Sequence, residues 1–252
     1  MLLFLIFVAM RIITLVITLI IAQFVVAQEV YDNSFDALMR EYSMVDIQKI
    51  EPSILVELKY STTDNFVGED MYGELDCAYF ATEFADRVVA AQRELQRRNP
   101  GLTLLIYDAA RPISIQRSMR RAVEGTELEA FVADGSRGGR HNYGVAIDVT
   151  IATLDGHPLD MGCGFDDFTV AASVKETPDN SDSTTRTPNV YKTYLQKLVN
   201  KGIISAQAAD NRLLLIEVMH SAGLYPYRRE WWHFEEIMPM SDVRNKYRLL
   251  DF

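Results

Sequence analysis

Two histidines and an aspartate set the first chemical question. In RHNYGVAIDVT, residues 140–150, His141 precedes Asp148 by seven positions, and Val145, Ala146, Ile147 and Val149 surround the aspartate. A strand over 145–151 puts Val145, Ile147, Val149 and Ile151 on one face and Ala146, Asp148 and Thr150 on the other. A carboxylate placed this way needs a compensating partner. Gly144 can take a turn or bulge geometry that folds the His141 ring back over the Asp148 face. A divalent metal is one partner that the pair could share. A salt-bridged aspartate beside a surface histidine is the competing reading.

A second cluster, REWWHFEE, holds Glu230, His233 and Glu235 beside two tryptophans. Read as a strand, Trp231 and His233 share a face and Glu230 lies at the leading edge. His141, Asp148 and His233 would then supply two imidazoles and one carboxylate with a position left for water, a pattern of catalytic zinc. Glu230 would take a proton from that water. The alternative for WWH is an aromatic core with a satisfied histidine. A third piece is Asp108–Ala109–Ala110–Arg111–Pro112, which aims an arginine from the end of an apolar strand. Arg111 could stabilise an oxyanion or form a structural ion pair with Asp108.

The elements that must position these groups are legible in outline. Residues 28–52 read as a leading segment with a short helix or turn. SILVELKY, 53–60, reads as a strand. Phe80, Phe84, Val88, Ala91 and Leu95 recur at helical spacing within 79–99, and Pro100–Gly101 ends the run. LTLLIYDA, 102–109, is an apolar strand, ISIQRSMRRAV a helix, and GVAIDVTI a strand. Residues 173–189 are polar and predict a mobile surface loop. Helices follow at about 190–200 and 205–223, the second with Ser205 as N-cap, and the aromatic REWWHFE reads as a strand. Short strands mixed with helices, with no regular βαβ rhythm, predict a single α+β domain with a mainly antiparallel sheet flanked by helices.

The chain has 252 residues, 48% hydrophobic and 24% charged, enough for one substantial core. Its net charge is −10 and it carries no long basic run, which argues against a nucleic-acid partner. Residues 1–27 are almost wholly apolar with one charge, Arg11, and Val25 and Ala27 precede Gln28 as small residues at a cleavage position. They predict a secretory signal peptide, with an uncleaved anchor as the alternative. Either reading exports residues 28–252 to the periplasm or the exterior, and removal of the signal leaves no stable membrane contact. An oxidising compartment permits a Cys77–Cys163 disulfide; two small buried hydrophobes is the other reading. His157 is expected in an exposed turn, His220 packed on a helix, and Glu235 and Glu236 as surface charges.

Five ordered motifs, YSTTDNF (60–66), YDAARP (107–112), HNYGVAIDVT (141–150), DMGCGFDDF (160–168) and EWWHF (230–234), make the sequence resemble the zinc-dependent D-alanyl-D-alanine dipeptidases, the group that includes the vancomycin-resistance enzymes. The resemblance spans most of the chain after about residue 45 and implies an α+β fold. It implies one zinc ion per chain on His141, Asp148 and His233. It makes Glu230 the base and Arg111 the group that stabilises the tetrahedral intermediate. It places Asp166 on the free amino group of a small dipeptide substrate and Tyr60 in the site lining. One departure stands out: the family's serine two residues before the first histidine is Gly139 here. A zinc carboxypeptidase or endopeptidase trimming longer peptidoglycan stems is the alternative that the same ligand set allows.

Overall fold

The stretch around Asp148 is the middle strand of the main sheet. The structure, a computed structural model, describes residues 34–176 and 186–252. In chain order the elements are α1 (Phe35–Glu41), β1 (Val45–Asp46), α2 (Ile47–Ile50), β2 (Leu55–Val56), β3 (Tyr79–Phe80), α3 (Thr82–Arg98), β4 (Leu102–Asp108), α4 (Ile113–Ala122), β5 (Ala146–Thr153), α5 (Pro188–Asn200), α6 (Ala206–Ser221), β6 (Tyr225–Pro226), β7 (His233–Glu235) and α7 (Met240–Lys246). The main sheet runs β2–β4–β5–β7–β6, and β1 pairs with β3 in a small second sheet. Only β2–β4 is parallel; the other pairings are antiparallel. This is the single α+β domain expected from the sequence.

Strand β5 is buried on both faces: Ile147, Val149 and Ile151 on one, Ala146, Asp148 and Thr150 on the other. Helix α3 covers the sheet because Phe84, Val88, Ala91 and Leu95 fall on one stripe, each with no exposed surface, against β4 and α6. Burying a side chain the size of Phe, Val or Leu stabilises the fold by roughly 1.5–3 kcal/mol. Helix α6 starts as predicted, with Ser205 Oγ accepting from Ala208 N at 2.9 Å. It stops at Gly223, whose φ of 78° a side chain would strain.

Near its C-terminal end β4 carries an irregularity. Ile106 pairs with Val149 and Asp108 with Asp148, so two steps along β4 answer one along β5. Tyr107 is the extra residue of a β-bulge. The bulge lets Asp108 reach the sheet face that carries Asp148.

Several expectations are corrected. The strand expected over 53–60 shrinks to Leu55–Val56, because the chain turns into a 3-10 helix at Lys59–Ser61 that buries Tyr60. Tyr79 and Phe80 pair with β1 instead of starting α3. In the expected loop 173–189, Val174 and Lys175 are buried and both donate N–H to the Arg228 carbonyl. That part is packed, and residues 177–185 lie outside the described residues, as do residues 1–27. No helix among the described residues is long and apolar enough to cross a membrane. Cys77 and Cys163 are free thiols, each partly exposed.

Candidate functional site

His141 sits in a short 3-10 helix, Arg140–Tyr143, which ends at Gly144 with φ 67°. The left-handed glycine turns the chain directly into β5. A β-carbon there would lie 2.9 Å from the Ala81 backbone nitrogen, so the turn needs glycine for both conformation and space. The His141 ring folds back over the Asp148 face, as the sequence suggested.

Asp148 and His233 are paired across β5 and β7. The three side chains meet at 3.0 Å (His233 Nδ1 to Asp148 Oδ1), 3.2 Å (His141 Nε2 to His233 Nδ1) and 3.4 Å (His141 Nε2 to Asp148 Oδ1). The far nitrogens are engaged elsewhere. His141 Nδ1 lies 2.7 Å from the Ala109 carbonyl, and His233 Nε2 lies 3.4 Å from Glu235 Oε2. With the far nitrogens facing those acceptors, the near ring nitrogens are the ones that face the Asp148 carboxylate. Two ring nitrogens and a carboxylate oxygen thus converge, a donor set that suits a divalent cation. His141, Asp148 and His233 could hold a metal ion. Burial by itself pushes the His233 imidazolium down, but Asp148 and Glu235 hold it well above its ordinary value. Burial raises the Asp148 carboxyl, and the two imidazoles outweigh this and lower it.

Glu230 reaches this triangle, its Oε2 3.9 Å from His233 Nδ1. Burial raises its carboxyl above the usual range, the facing imidazoles pull it down, and Asp148 pushes it up. Glu230 and both tryptophans precede β7 in a turn, so strand alternation does not apply to them. Trp232, not Trp231, lines the cavity with His233, while Trp231 packs beneath the Arg212 guanidinium at 5.8 Å.

Arg111 forms the ion pair with Asp108 that the sequence offered as one reading, and it also lines the cavity. Its Nε donates to Asp108 Oδ2 at 3.1 Å, Nη2 bonds the same oxygen, and Nη1 donates to Gln116 Oε1 at 2.9 Å. Tyr72 donates to the other Asp108 oxygen at 2.7 Å. Three of the five guanidinium donors are thus taken, and two remain for the cavity that Arg111 lines. Asp108 Oδ2 also lies 3.6 Å from His141 Nδ1, linking the arginine to the His–Asp–His group.

Asp166 adopts φ 58°, rare for a residue with a side chain. Tyr60 donates to both its oxygens, at 3.2 and 3.1 Å. Burial and the nearby Asp148 push the Asp166 carboxyl well above its ordinary value, against the pull of Tyr60 and Arg111. Its loop is tied down by Arg212, which is buried on α6 and donates to the carbonyls of Met161 at 2.6 Å and Ala171 at 2.7 Å.

All seven residues singled out in the sequence, Tyr60, Arg111, His141, Asp148, Asp166, Glu230 and His233, line one cavity of about 420 Å³. Glu235 and Glu236 are not surface charges. Glu235 holds His233 and pairs with Arg140 Nε at 2.8 Å, and Glu236 pairs with Arg87. Glu235 could have been found, since it stands two residues from His233 on one strand face. Tyr72 and Gln116 left no such signal. His157 is exposed and His220 packs edge-on against Tyr225, as expected.

The sequence matches the peptidase M15 family, described as D-ala-D-ala dipeptidase, over residues 40–188 and 196–248. The chain belongs to this family. It is similar to the D-alanyl-D-alanine dipeptidase of Escherichia coli, 31% identical over 193 residues, or 76% of this chain and 83% of that protein. The Synechocystis dipeptidase is 26% identical over 238 residues, covering 81% and 89% of the two chains. The Enterococcus faecalis dipeptidase is 30% identical over 202 residues, covering 72% and 85%. Membership makes the chain a peptidase, a hydrolase, and gives the His–Asp–His group a chemical setting.

Proposed function

We propose that the protein is an exported zinc dipeptidase that hydrolyses D-Ala-D-Ala or a close relative. The observation that carries this reading is the donor triangle with Glu230 at its side. Tetrahedral zinc on nitrogen and oxygen at about 2.0–2.1 Å would set its donors roughly 3.3 Å apart. The edges of 3.0, 3.2 and 3.4 Å fit. Bound zinc supplies a polarised carbonyl and a water acidic near neutral pH.

The rest falls to the side chains. Glu230 takes the proton of the attacking water and passes it to the leaving amine. Arg111, held by Asp108 and Gln116, points its two free donors at the developing oxyanion. Asp166 and Tyr60 hold the substrate's ammonium. A longer peptide has no charge to place there and would leave Asp166 without a cationic partner, which favours a dipeptidase over a stem-trimming carboxypeptidase. The signal-like sequence of residues 1–27 supports export, and an exported enzyme of this kind would act on dipeptide released during peptidoglycan turnover.

The test is release of D-Ala from D-Ala-D-Ala by the zinc-loaded protein, with and without chelator, alongside Glu230→Gln. Release should stop with chelator and fall about 10²–10⁴-fold in the variant, with zinc still bound. Release that ignores both would overturn the reading.

A further inference from the structure

One wall of the cavity is more apolar than a dialanine requires. Phe66, Phe168 and Phe131 form a continuous run, with ring centroids 5.5 Å apart for the first pair and 4.8 Å for the stacked second pair. All three are only half-buried and line the cavity. The Arg229 guanidinium, 4.7 Å over the Phe131 ring, caps the far end.

The run has a fixed place relative to the chemistry. It starts at the amine-holding pair: the Phe66 ring lies edge-on to Tyr60 at 6.0 Å, and Phe168 follows Asp166 by two residues. Gly139, Arg140 and Asn142, which also line the cavity, are polar or bare. A volume of about 420 Å³ falls in the range that encloses a drug-sized ligand.

Building on the dipeptidase reading, we propose that the preferred substrates are D,D-dipeptides whose first residue, the one with the free amine, carries a large apolar side chain lying on the Phe66–Phe168–Phe131 run. With the ammonium at Asp166 and the scissile carbonyl at the donor triangle, the first residue bridges the two, and its side chain is the group that faces the rings. A methyl group would leave the aromatic surface wet. An aromatic or branched aliphatic side chain removes it from water and gains ring–ring contact.

The experiment compares kcat/KM of the zinc-loaded enzyme for D-Phe-D-Ala, D-Ala-D-Phe and D-Ala-D-Ala, then repeats it with Phe131→Ala and Phe131→Leu at matched zinc content, melting each protein as a fold check. D-Phe-D-Ala should exceed D-Ala-D-Ala by about tenfold or more. That ratio should collapse in Phe131→Ala and fall less in Phe131→Leu. A preference for D-Ala-D-Ala or D-Ala-D-Phe, or a ratio unmoved by folded Phe131 variants, overturns the assignment and leaves the dipeptidase reading standing. Failure to cleave any of the three overturns the dipeptidase reading itself.

Discussion

Asp148 and His233 are register partners across the β5–β7 ladder, and their side chains meet at 3.0 Å. Strand pairing, not loop geometry, therefore fixes one edge of the candidate metal site. Metal and fold should accordingly be coupled, because an ion that binds only the folded chain stabilises it by mass action. At zinc about 100-fold above its dissociation constant the gain is about 2.7 kcal/mol, or roughly 5–10 °C in Tm for a domain of this size. Calorimetry with and without chelator should show that shift, and Asp148→Ala should abolish it. Equal melting temperatures in wild type would separate the ligand triangle from metal binding.

Asp166 carries a stability cost that its proposed role in substrate binding would explain. Burial and Asp148 raise its folded-state carboxyl well above the unfolded value. Below the unfolded pKa of about 3.9 both states are protonated and nothing is lost. As pH rises from there toward the raised folded value, the unfolded chain gives up its proton first and stability falls. Asp166→Asn should thus melt higher than wild type near neutral pH, with the advantage fading toward pH 4. The same variant should lose roughly 10–100-fold in kcat/KM for a dipeptide, the cost of a charge-assisted hydrogen bond. A variant that melts lower at neutral pH would contradict the account.

Gly139 does not need to be glycine for backbone reasons. Its φ is −95°, and a β-carbon there would meet only Asn142 Oδ1, at 3.9 Å. Gly139→Ser should fold with an unchanged Tm and place a hydroxyl in the cavity. With D-Ala-D-Ala the KM should drop by about one hydrogen bond's worth, roughly 3–10-fold. Steady-state kinetics decides this, and a raised KM would mean that the open space itself serves the substrate.

Arg212 should matter far more than its place on a helix suggests. It is 1% exposed and satisfies the Met161 and Ala171 carbonyls on either side of the Asp166 loop. Arg212→Ala leaves those acceptors buried without a donor, at a cost on the order of 3 kcal/mol. Denaturant unfolding should show that loss, and KM should rise as the loop loosens. Near-wild-type stability would show that water replaces the guanidinium.

The seven candidate side chains were readable because chemistry-bearing residues stand in short motifs whose local spacing survives folding. His141, Gly144 and Asp148 needed only a turn and a strand. The misreadings share one physical cause, long-range packing. SILVELKY has strand propensity throughout, yet its partner β4 pairs with only two residues before the chain turns to bury Tyr60. Glu236 carries no mark of its contact with Arg87, nor Arg212 of its burial, since both depend on segments far away in sequence. Trp231 was misplaced because β7 begins two residues later than its aromatic composition suggests.

The bulge at Tyr107 acts as a phase shifter for the β4 strand. Everything upstream of it, Leu102 to Ile106, is spaced for sheet packing, and everything downstream, Asp108 to Arg111, is spaced for the cavity. Deleting one residue at this point would keep the hydrophobic pattern while pulling Asp108 and Arg111 out of step with Asp148. Relatives that keep this chemistry should therefore vary in residue type along the strand and stay constant in length between Ile106 and Arg111. Libraries built on this scaffold should treat that spacing as fixed.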